Sequence, residues 1–335
     1  MRVGVIRSNY SDIRGGFLCE LQDCLTMRTI TFEEADPHLT WNAVSDALHT
    51  GHQLAKAEIG DVLLQVEPNA LLNRAAWIPR LGMALKSMSV FPQNGLANPP
   101  LPSIQGGVLL FDDKNGSLMA MIDGVLVTKW KTAGDSVLGA KLLANPLPKT
   151  HLMVGVGTVA LSVIDAYREV FPSIDRFIVY NRTVSNAYKF VETMQHKVAG
   201  IEVMENLSDA CGEADIITCA TMATEPVLKG EWIKPGTHVD LIGAYKSDMR
   251  EADDALLLKS ELFVDSRDTN IGHIGEIDIP LNAGIIKLED IRGDLYDLCK
   301  NKIGRSSTES ITVFKNGGGA HLDLMTSRMI YEKCG

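Results

Sequence analysis

At 335 residues the chain is long enough for two domains of ordinary size, each with its own core. Its composition, 45% hydrophobic and 22% charged, is that of a globular protein, and a net charge of −10 argues against a nucleic-acid partner, which would need a basic face to neutralise phosphates. No apolar run approaches the ~20 residues that span a bilayer, so no membrane partner is expected.

Residues 1–26 are too polar for a secretory apolar region and lack the Arg- and Ser-rich balance of a transit peptide. They read as an N-terminal extension, and MRTITFEEAD, from Met27, opens like a domain. The six cysteines (Cys19, Cys24, Cys211, Cys219, Cys299, Cys334) are scattered, with no C-x-x-C pair and no histidine at ligand spacing. Reduced thiols in a cytoplasmic protein, without a metal site, are the expectation.

From Thr40 a helix is predicted, because Trp41, Val44, Ala47, Leu48 and Leu54 recur near helical spacing. LLNRAAWIPRLGMALKSMSVFP has strand character. Two apolar runs around Asn115-Gly116, in GGVLLFDDKNGSLMAMIDG, predict a β-hairpin. SVLGAKLLA reads as a helix stopped by Asn145-Pro146 and Pro148.

From Thr150 strands and helices alternate: HLMVGVG and VALSVIDAYREVF, then DRFIVYN and VSNAYKFVETMQ. Four more short strands follow in IEVME, DIITCAT, THVDLIGA and ELFVDS. After Ile271 the chain is loop-rich, with a helix near DIRGDLYDLCKNKIG, a strand ITVF and a final helix HLDLMTSRMIYEKC. The pattern predicts an α/β protein in which a doubly wound parallel (Rossmann) sheet at 150–285 is inserted into an α+β domain made of 27–149 and 286–335.

Gly155-Val156-Gly157-Thr158-Val159-Ala160 fits G-x-G-x-x-[GA] between a predicted strand and helix, where glycines let backbone approach a pyrophosphate at a helix N-terminus. A dinucleotide cofactor is expected there. The second strand ends in Asn181-Arg182-Thr183, without the carboxylate that would bind ribose hydroxyls. A guanidinium and a hydroxyl suit a 2′-phosphate, so NADPH is expected, with NADH as the alternative. Two lysines stand out in apolar company: Lys86 in GMALKSMSVFP and Lys131 beside Trp130. Each reads either as a solvent-seeking side chain or as part of a carboxylate-binding site.

Three blocks carry a resemblance to the ornithine cyclodeaminase/mu-crystallin family: KSMSVFP, TKWKTAGDSVLGAKLLA and ATEPVLKGEWIKPGTHVDLIGAYKSDMREADD, the last closer to the ketimine reductase branch. The resemblance runs from about Met27 to the C-terminus. It implies a split substrate domain that dimerises through its sheet, a homodimer, and an inserted Rossmann domain. Lys86 falls on the lysine that contacts substrate, and Lys131 where many members place an arginine for the substrate carboxylate. Lys131 and Thr132 are also expected at the cofactor, as are Thr221, Leu241, Ile242 and Gly243. Asn316 and Gly317 match the segment that closes over the nicotinamide, Gly317 also toward substrate. A further substrate arginine is implied N-terminal to Lys86, and IGDVLLQ holds none.

Two residues after Gly243, where cyclodeaminases carry a catalytic aspartate, stands Tyr245. With an unperturbed pKa near ~10, a tyrosine is a poor base for deamination. The expected reaction is therefore NAD(P)H-dependent reduction of a small cyclic ketimine carboxylate. Δ1-pyrroline-2-carboxylate to L-proline comes first and Δ1-piperideine-2-carboxylate to L-pipecolate second. Lys86 or Tyr245 is the expected proton donor. The alternatives are an ammonia-releasing cyclodeaminase and a nonenzymatic NADPH-dependent binder. Asp248, Arg250 and Glu251 are expected to fix their loop, and His321 to be a helix-start histidine.

Overall fold

The computed structural model describes residues 27–334, so the expected extension 1–26 lies outside the described residues. The chain begins with β1 (Arg28–Ile30), α1 (Phe32–Ala35) and α2 (Trp41–Gln53). Helix α2 starts where Thr40 accepts a hydrogen bond from the Ala43 amide, and it turns Trp41, Val44 and Leu48 inward, as their spacing predicts. Strands β2 (Glu58–Val66), β3 (Asn69–Ile78), β4 (Gly82–Val90), β5 (Ile104–Phe111) and β6 (Leu118–Asp123) follow. They form a six-stranded sheet in the order β1-β6-β5-β4-β3-β2, with only β1–β6 parallel. The predicted hairpin is β5–β6, closed by residues 112–117 with Gly116 at φ 71°.

Helix α3 (Gly124–Leu143) is far longer than the segment SVLGAKLLA suggests. Asp123 starts it by accepting from the Val125 and Leu126 amides. It then packs against α2 and β5 of the first sheet and against α4 (Ala160–Val170) beyond it. A helix covered on several sides has no polar stripe to reveal its start, which is why its first half escapes periodicity. Lys131 and Thr132 therefore sit mid-helix.

The second sheet is built from β7 (Thr150–Val154), β8 (Arg176–Tyr180), β9 (Ile201–Val203), β10 (Ile216–Cys219), β11 (His238–Leu241), β12 (Glu261–Val264), β13 (Ile291–Asp294) and β14 (Thr312–Lys315). All its pairings are parallel, in the order β13-β12-β14-β11-β10-β7-β8-β9. Beside α4 its helices are α5 (Val184–Met194), α6 (Leu207–Glu213), α7 (Asp254–Lys259), α8 (Arg267–Asn270), α9 (Gly275–Asn282) and α10 (Leu295–Leu298). The order steps outward from β7 to β8 and β9, then returns to place β10 on the other side of β7, which makes β7/β10 the topological switch point.

The boundary expected at 285 needs correction. Strand β14 lies between β11 and β12, and β13 closes the edge, so this sheet continues to Lys315. The helix expected in DIRGDLYDLCKNKIG is mostly β13 and the single turn α10. Only α11 (Ala320–Cys334) returns, packing on β3, β4, α2 and α3. A short strand such as ITVF announces itself as a strand, but its own residues do not say which sheet it joins. Among the described residues no helix is long and apolar enough to cross a membrane, and no group of three His, Cys, Asp or Glu could hold a metal ion.

Candidate active site

The glycine loop follows β7 at the switch point and opens a cleft of about 400 Å³, lined by Gly155, Gly157, Asn181, Arg182, Thr183 and Thr221 among others. Gly155 has φ 95°, and a Cβ there would lie 2.6 Å from the Ala220 carbonyl oxygen, so no side chain is tolerated. At Gly157 a Cβ would meet nothing within 4 Å, which leaves backbone open toward the cleft. Thr158 is exposed, and Val159 precedes α4 without a side-chain cap; the Ala160 amide donates to the Gly157 carbonyl, while the Leu161 and Ser162 amides have no acceptor among the described residues and are free for an anion. These features fit a dinucleotide pyrophosphate.

Asn181 has a different part to play than direct recognition alone. Its Oδ1 accepts from the Val156 amide at 3.3 Å and its Nδ2 donates to the Thr183 carbonyl at 2.9 Å, tying the glycine loop to the end of β8. Arg182 and Thr183 are exposed at the rim, and among the described residues no carboxylate lines the cleft.

The loop after β11 is held by one carboxylate. Glu251 Oε1 accepts from the Thr221 amide at 2.7 Å and from its hydroxyl at 2.8 Å, while Oε2 accepts from the Gly243 amide at 2.6 Å. Gly243 passes so near Thr221 that a Cβ would lie 2.0 Å from its carbonyl oxygen. Behind it, Glu276 accepts from the Glu251 and Ala252 amides, and burial, reinforced by Glu251, pushes its own carboxyl up to about 7. Arg250 pairs with Asp254. Glu251 and Arg250 thus fix the loop as expected; Asp248 is exposed and makes no hydrogen bond among the described residues. Leu241 is buried at the end of β11 and Ile242 half-buried beside it.

Asn316 donates from Nδ2 to the Thr132 carbonyl at 3.0 Å and to Ser136 Oγ at 2.9 Å, so it pins the segment after β14 to α3. Its amide nitrogen is therefore committed to the scaffold and only its oxygen remains for a cofactor. Gly317 abuts the Asn270 side chain. Gly318, at φ 69°, donates its amide to Asp265 Oδ2 at 2.6 Å, and a Cβ on it would lie 3.5 Å from Lys131 Nζ. This glycine strap brings the cofactor side of the molecule to the lysines.

Lys86 on β4 and Lys131 on α3 are each only 6% exposed. Lys86 Nζ donates to Thr128 Oγ1 at 2.6 Å and to Asp323 Oδ1 at 3.1 Å, and Lys131 Nζ lies 3.2 Å from the same oxygen. Burial pulls the Lys131 ammonium down to about 8, against the opposing pull of Asp323. Burial would raise the Asp323 carboxyl, but Lys131, Lys86 and Arg74 overcome that and hold it below the usual carboxylate range. Arg74 is paired in register with Lys86 across β3–β4, and residues so paired share a sheet face. Arg74 is an arginine N-terminal to Lys86, one strand beyond IGDVLLQ.

Asp323 and Arg74 were the residues missed. Asp323 lies in HLDLMTS between Leu322 and Leu324, both fully buried, and a carboxylate in such company was the available signal. His321 is buried at the start of α11, its ring edge-on to His52 at 5.4 Å, and burial keeps it neutral. Tyr245 is not drawn into the cluster: it is 53% exposed, its ring lies under Lys246 Nζ, and its hydroxyl makes no hydrogen bond among the described residues.

A dinucleotide cleft at a switch point, joined by a glycine strap to a buried cluster of cations, defines a nicotinamide-dependent oxidoreductase architecture for small anionic substrates. The chain belongs to the ornithine cyclodeaminase/mu-crystallin family, whose profile matches residues 75–335. It is 48% identical to the Δ1-pyrroline-2-carboxylate reductase of Paracoccus denitrificans, over 90% of this chain and 95% of the relative. It is 36% identical to the ketimine reductase mu-crystallin of Mus musculus, over 74% of this chain and 76% of that one. Its structure matches that of the Δ1-pyrroline-2-carboxylate reductase of Thermococcus litoralis, solved with NADH and L-proline. That match has a TM-score of 0.84 at 30% identity, over 92% of this chain and 97% of the other.

Proposed function

We propose that the protein uses a nicotinamide cofactor to reduce cyclic ketimine carboxylates, Δ1-pyrroline-2-carboxylate to L-proline first and Δ1-piperideine-2-carboxylate to L-pipecolate second. The observation that carries this reading is the pair of buried lysines, Lys86 and Lys131, with the half-buried Arg74 beside them near the glycine strap, together with Tyr245 in place of a basic carboxylate. The relatives named above, a reductase of the same imine and a ketimine reductase, support it.

The bound cofactor would supply the hydride; the protein supplies binding, orientation and a proton. Arg74, Lys86 and Lys131 take the substrate carboxylate. The ring nitrogen must be protonated for the carbon to accept hydride, and the lysine pair is a better source than Tyr245. Lys131 titrates near about 8, so it can both hold and release a proton near neutrality, whereas Tyr245 lies exposed on its loop.

NADPH is the preferred cofactor in this reading, because Arg182 and Thr183 flank a cleft without carboxylates. The working unit is a homodimer. Strand β2 is exposed along its whole length at the sheet edge, with Val62, Leu63, Leu64 and Val66 bare, and a second copy would cover it. The free cysteines suit a reducing cytoplasm.

The test is NADPH oxidation with Δ1-pyrroline-2-carboxylate, run beside ornithine with NAD and an ammonia assay. Imine-dependent oxidation without ammonia release is expected. Robust ammonia release would replace the reductase with a cyclodeaminase, and NADPH binding without oxidation would leave a binding protein.

A further inference from the structure

The Lys86 and Lys131 ammonium groups meet at a single oxygen of Asp323, at 3.1 and 3.2 Å. Like charges brought this near repel unless an anion lies between them, and here the anion comes from a third element, α11. Asp323 is 1% exposed, and its other oxygen, Oδ2, has no hydrogen-bond partner among the described residues. A carboxylate buried with one oxygen idle is costly to keep, so its retention points to what the bonded oxygen does. The lysines are slightly more open than Asp323, which places the carboxylate behind them and the two cations in front.

We propose that Asp323 is a positioning residue of the substrate site: its Oδ1 holds the Lys86 and Lys131 ammonium groups side by side so that together they grip the carboxylate of a planar cyclic imino acid. This rests on the ketimine-carboxylate reading above. A lysine lacks the two-pronged geometry of an arginine, and two lysines anchored on one oxygen restore it. The anchor also bears on the pH at which Lys131 loses its charge. Around the pair stand Arg74 from β3, with Asp61 of β2 on its Nε, His321 from α11 and His52 from α2. Burial pulls both histidines down, and burial together with Asp265 and Asp240 pushes the Asp135 carboxyl of α3 well above the usual carboxylate range. Burial brings the Lys131 ammonium down to about 8, and the charge on Asp323 opposes that fall.

The experiment measures, against pH, calorimetric binding of pyrrole-2-carboxylate to the NADPH-saturated protein. This probe is a planar carboxylate that cannot be reduced. Wild type should lose binding as pH rises through about 8. Asp323→Asn should weaken binding at least about tenfold, leave NADPH affinity within about twofold, and move that loss to lower pH by about one pH unit. Asp323→Glu should restore the wild-type position in part. Equal losses of probe and NADPH affinity with an unmoved pH limb would mean that Asp323 only supports the fold, and would overturn the proposal.

Should Asp323→Asn fail to fold, Lys131→Arg decides. An arginine stays charged, so the limb near pH 8 should vanish, and an unchanged limb would overturn the proposal. Because the probe is bound but not turned over, a wild type that binds it yet does not oxidise NADPH with Δ1-pyrroline-2-carboxylate sinks the reductase reading alone. Normal turnover with an unmoved limb in Asp323→Asn sinks the role of Asp323 alone. A wild type that does not bind the probe overturns both.

Discussion

Arg74 stands directly opposite Lys86 in the β3–β4 register, on the sheet face from which Lys86 reaches Thr128 of α3 and Asp323 of α11. Its Nε donates to Asp61 Oδ2 at 2.8 Å, which orients the guanidinium and leaves both terminal nitrogens uncommitted among the described residues. That is the arrangement for bidentate capture of a carboxylate. Arg74→Met should raise KM for the imino acid roughly ten- to a hundredfold, the worth of about 1.5–3 kcal/mol for a bond to a charged group, with NADPH affinity unchanged. Arg74→Lys should recover part of the loss, since it returns charge without the fork. Steady-state kinetics with fixed saturating NADPH checks this, and an unaltered KM in Arg74→Met removes Arg74 from the site.

The carboxylate of Glu251 serves three donors, two on Thr221 and one on Gly243, and so joins the loops after β10 and β11 beside the cleft that Thr221 lines. Glu251→Gln keeps the shape but sets an NH2 group against an amide N–H. One buried donor then loses its acceptor, at about 1–3 kcal/mol. A melting temperature lower by a few degrees and a weaker NADPH Kd are expected, with a smaller change in imino-acid KM at saturating cofactor. Fluorescence titration with NADPH and a thermal melt together test it; a normal Kd would confine Glu251 to a purely local role.

How much of this was legible beforehand depended on whether the signal was local. The glycine loop declares itself because a tight turn, a strand before and a helix after lie within a dozen residues. Lys86 and Lys131 announce themselves by their apolar neighbours. Asp323 is 192 residues from Lys131 and 237 from Lys86 in sequence, and nothing in HLDLMTS says that two lysines will arrive at it. Arg74 was missed for a subtler reason: strand register decides which residue faces Lys86, and register is a property of the pair. The same limit placed the end of the second sheet at 285, because β14 inserts between strands that precede it by tens of residues. Tyr245 reads in the sequence as standing in place of a carboxylate, while its exposure could come only from coordinates.

Arg182 has no acidic partner among the described residues and lies at the rim beside Thr183, where the adenosine ribose would end. If it meets a 2′-phosphate, Arg182→Ala should weaken NADPH binding about ten- to a hundredfold and leave NADH binding within about twofold. Paired Kd measurements for the two cofactors check this. Equal weakening of both would mean that Arg182 acts on the adenine or the loop, and equal strength of both in wild type would remove the NADPH preference.

His151 on β7 offers a stability measurement independent of the active site. It is fully buried, its ring stacks on Tyr167 at 4.3 Å, Nε2 meets Thr218 Oγ1 at 3.0 Å, and Nδ1 has no partner among the described residues. Burial pulls its pKa from 6.5 to about 3. A histidine lowered in the folded state binds its proton more readily when unfolded, so the folded form loses ground as pH falls from about 6.5 toward about 3. In that window the loss approaches about 1.4 kcal/mol for each pH unit. His151→Gln removes this titration while keeping a polar group of similar reach toward Thr218. The variant should be less stable than wild type at pH 7, and the gap should narrow steadily on acidification, even as other buried groups titrate equally in both proteins. Urea denaturation of the pair between pH 7 and 4 measures the difference directly, and a gap that stays constant would show that His151 is already able to accept a proton in the folded protein.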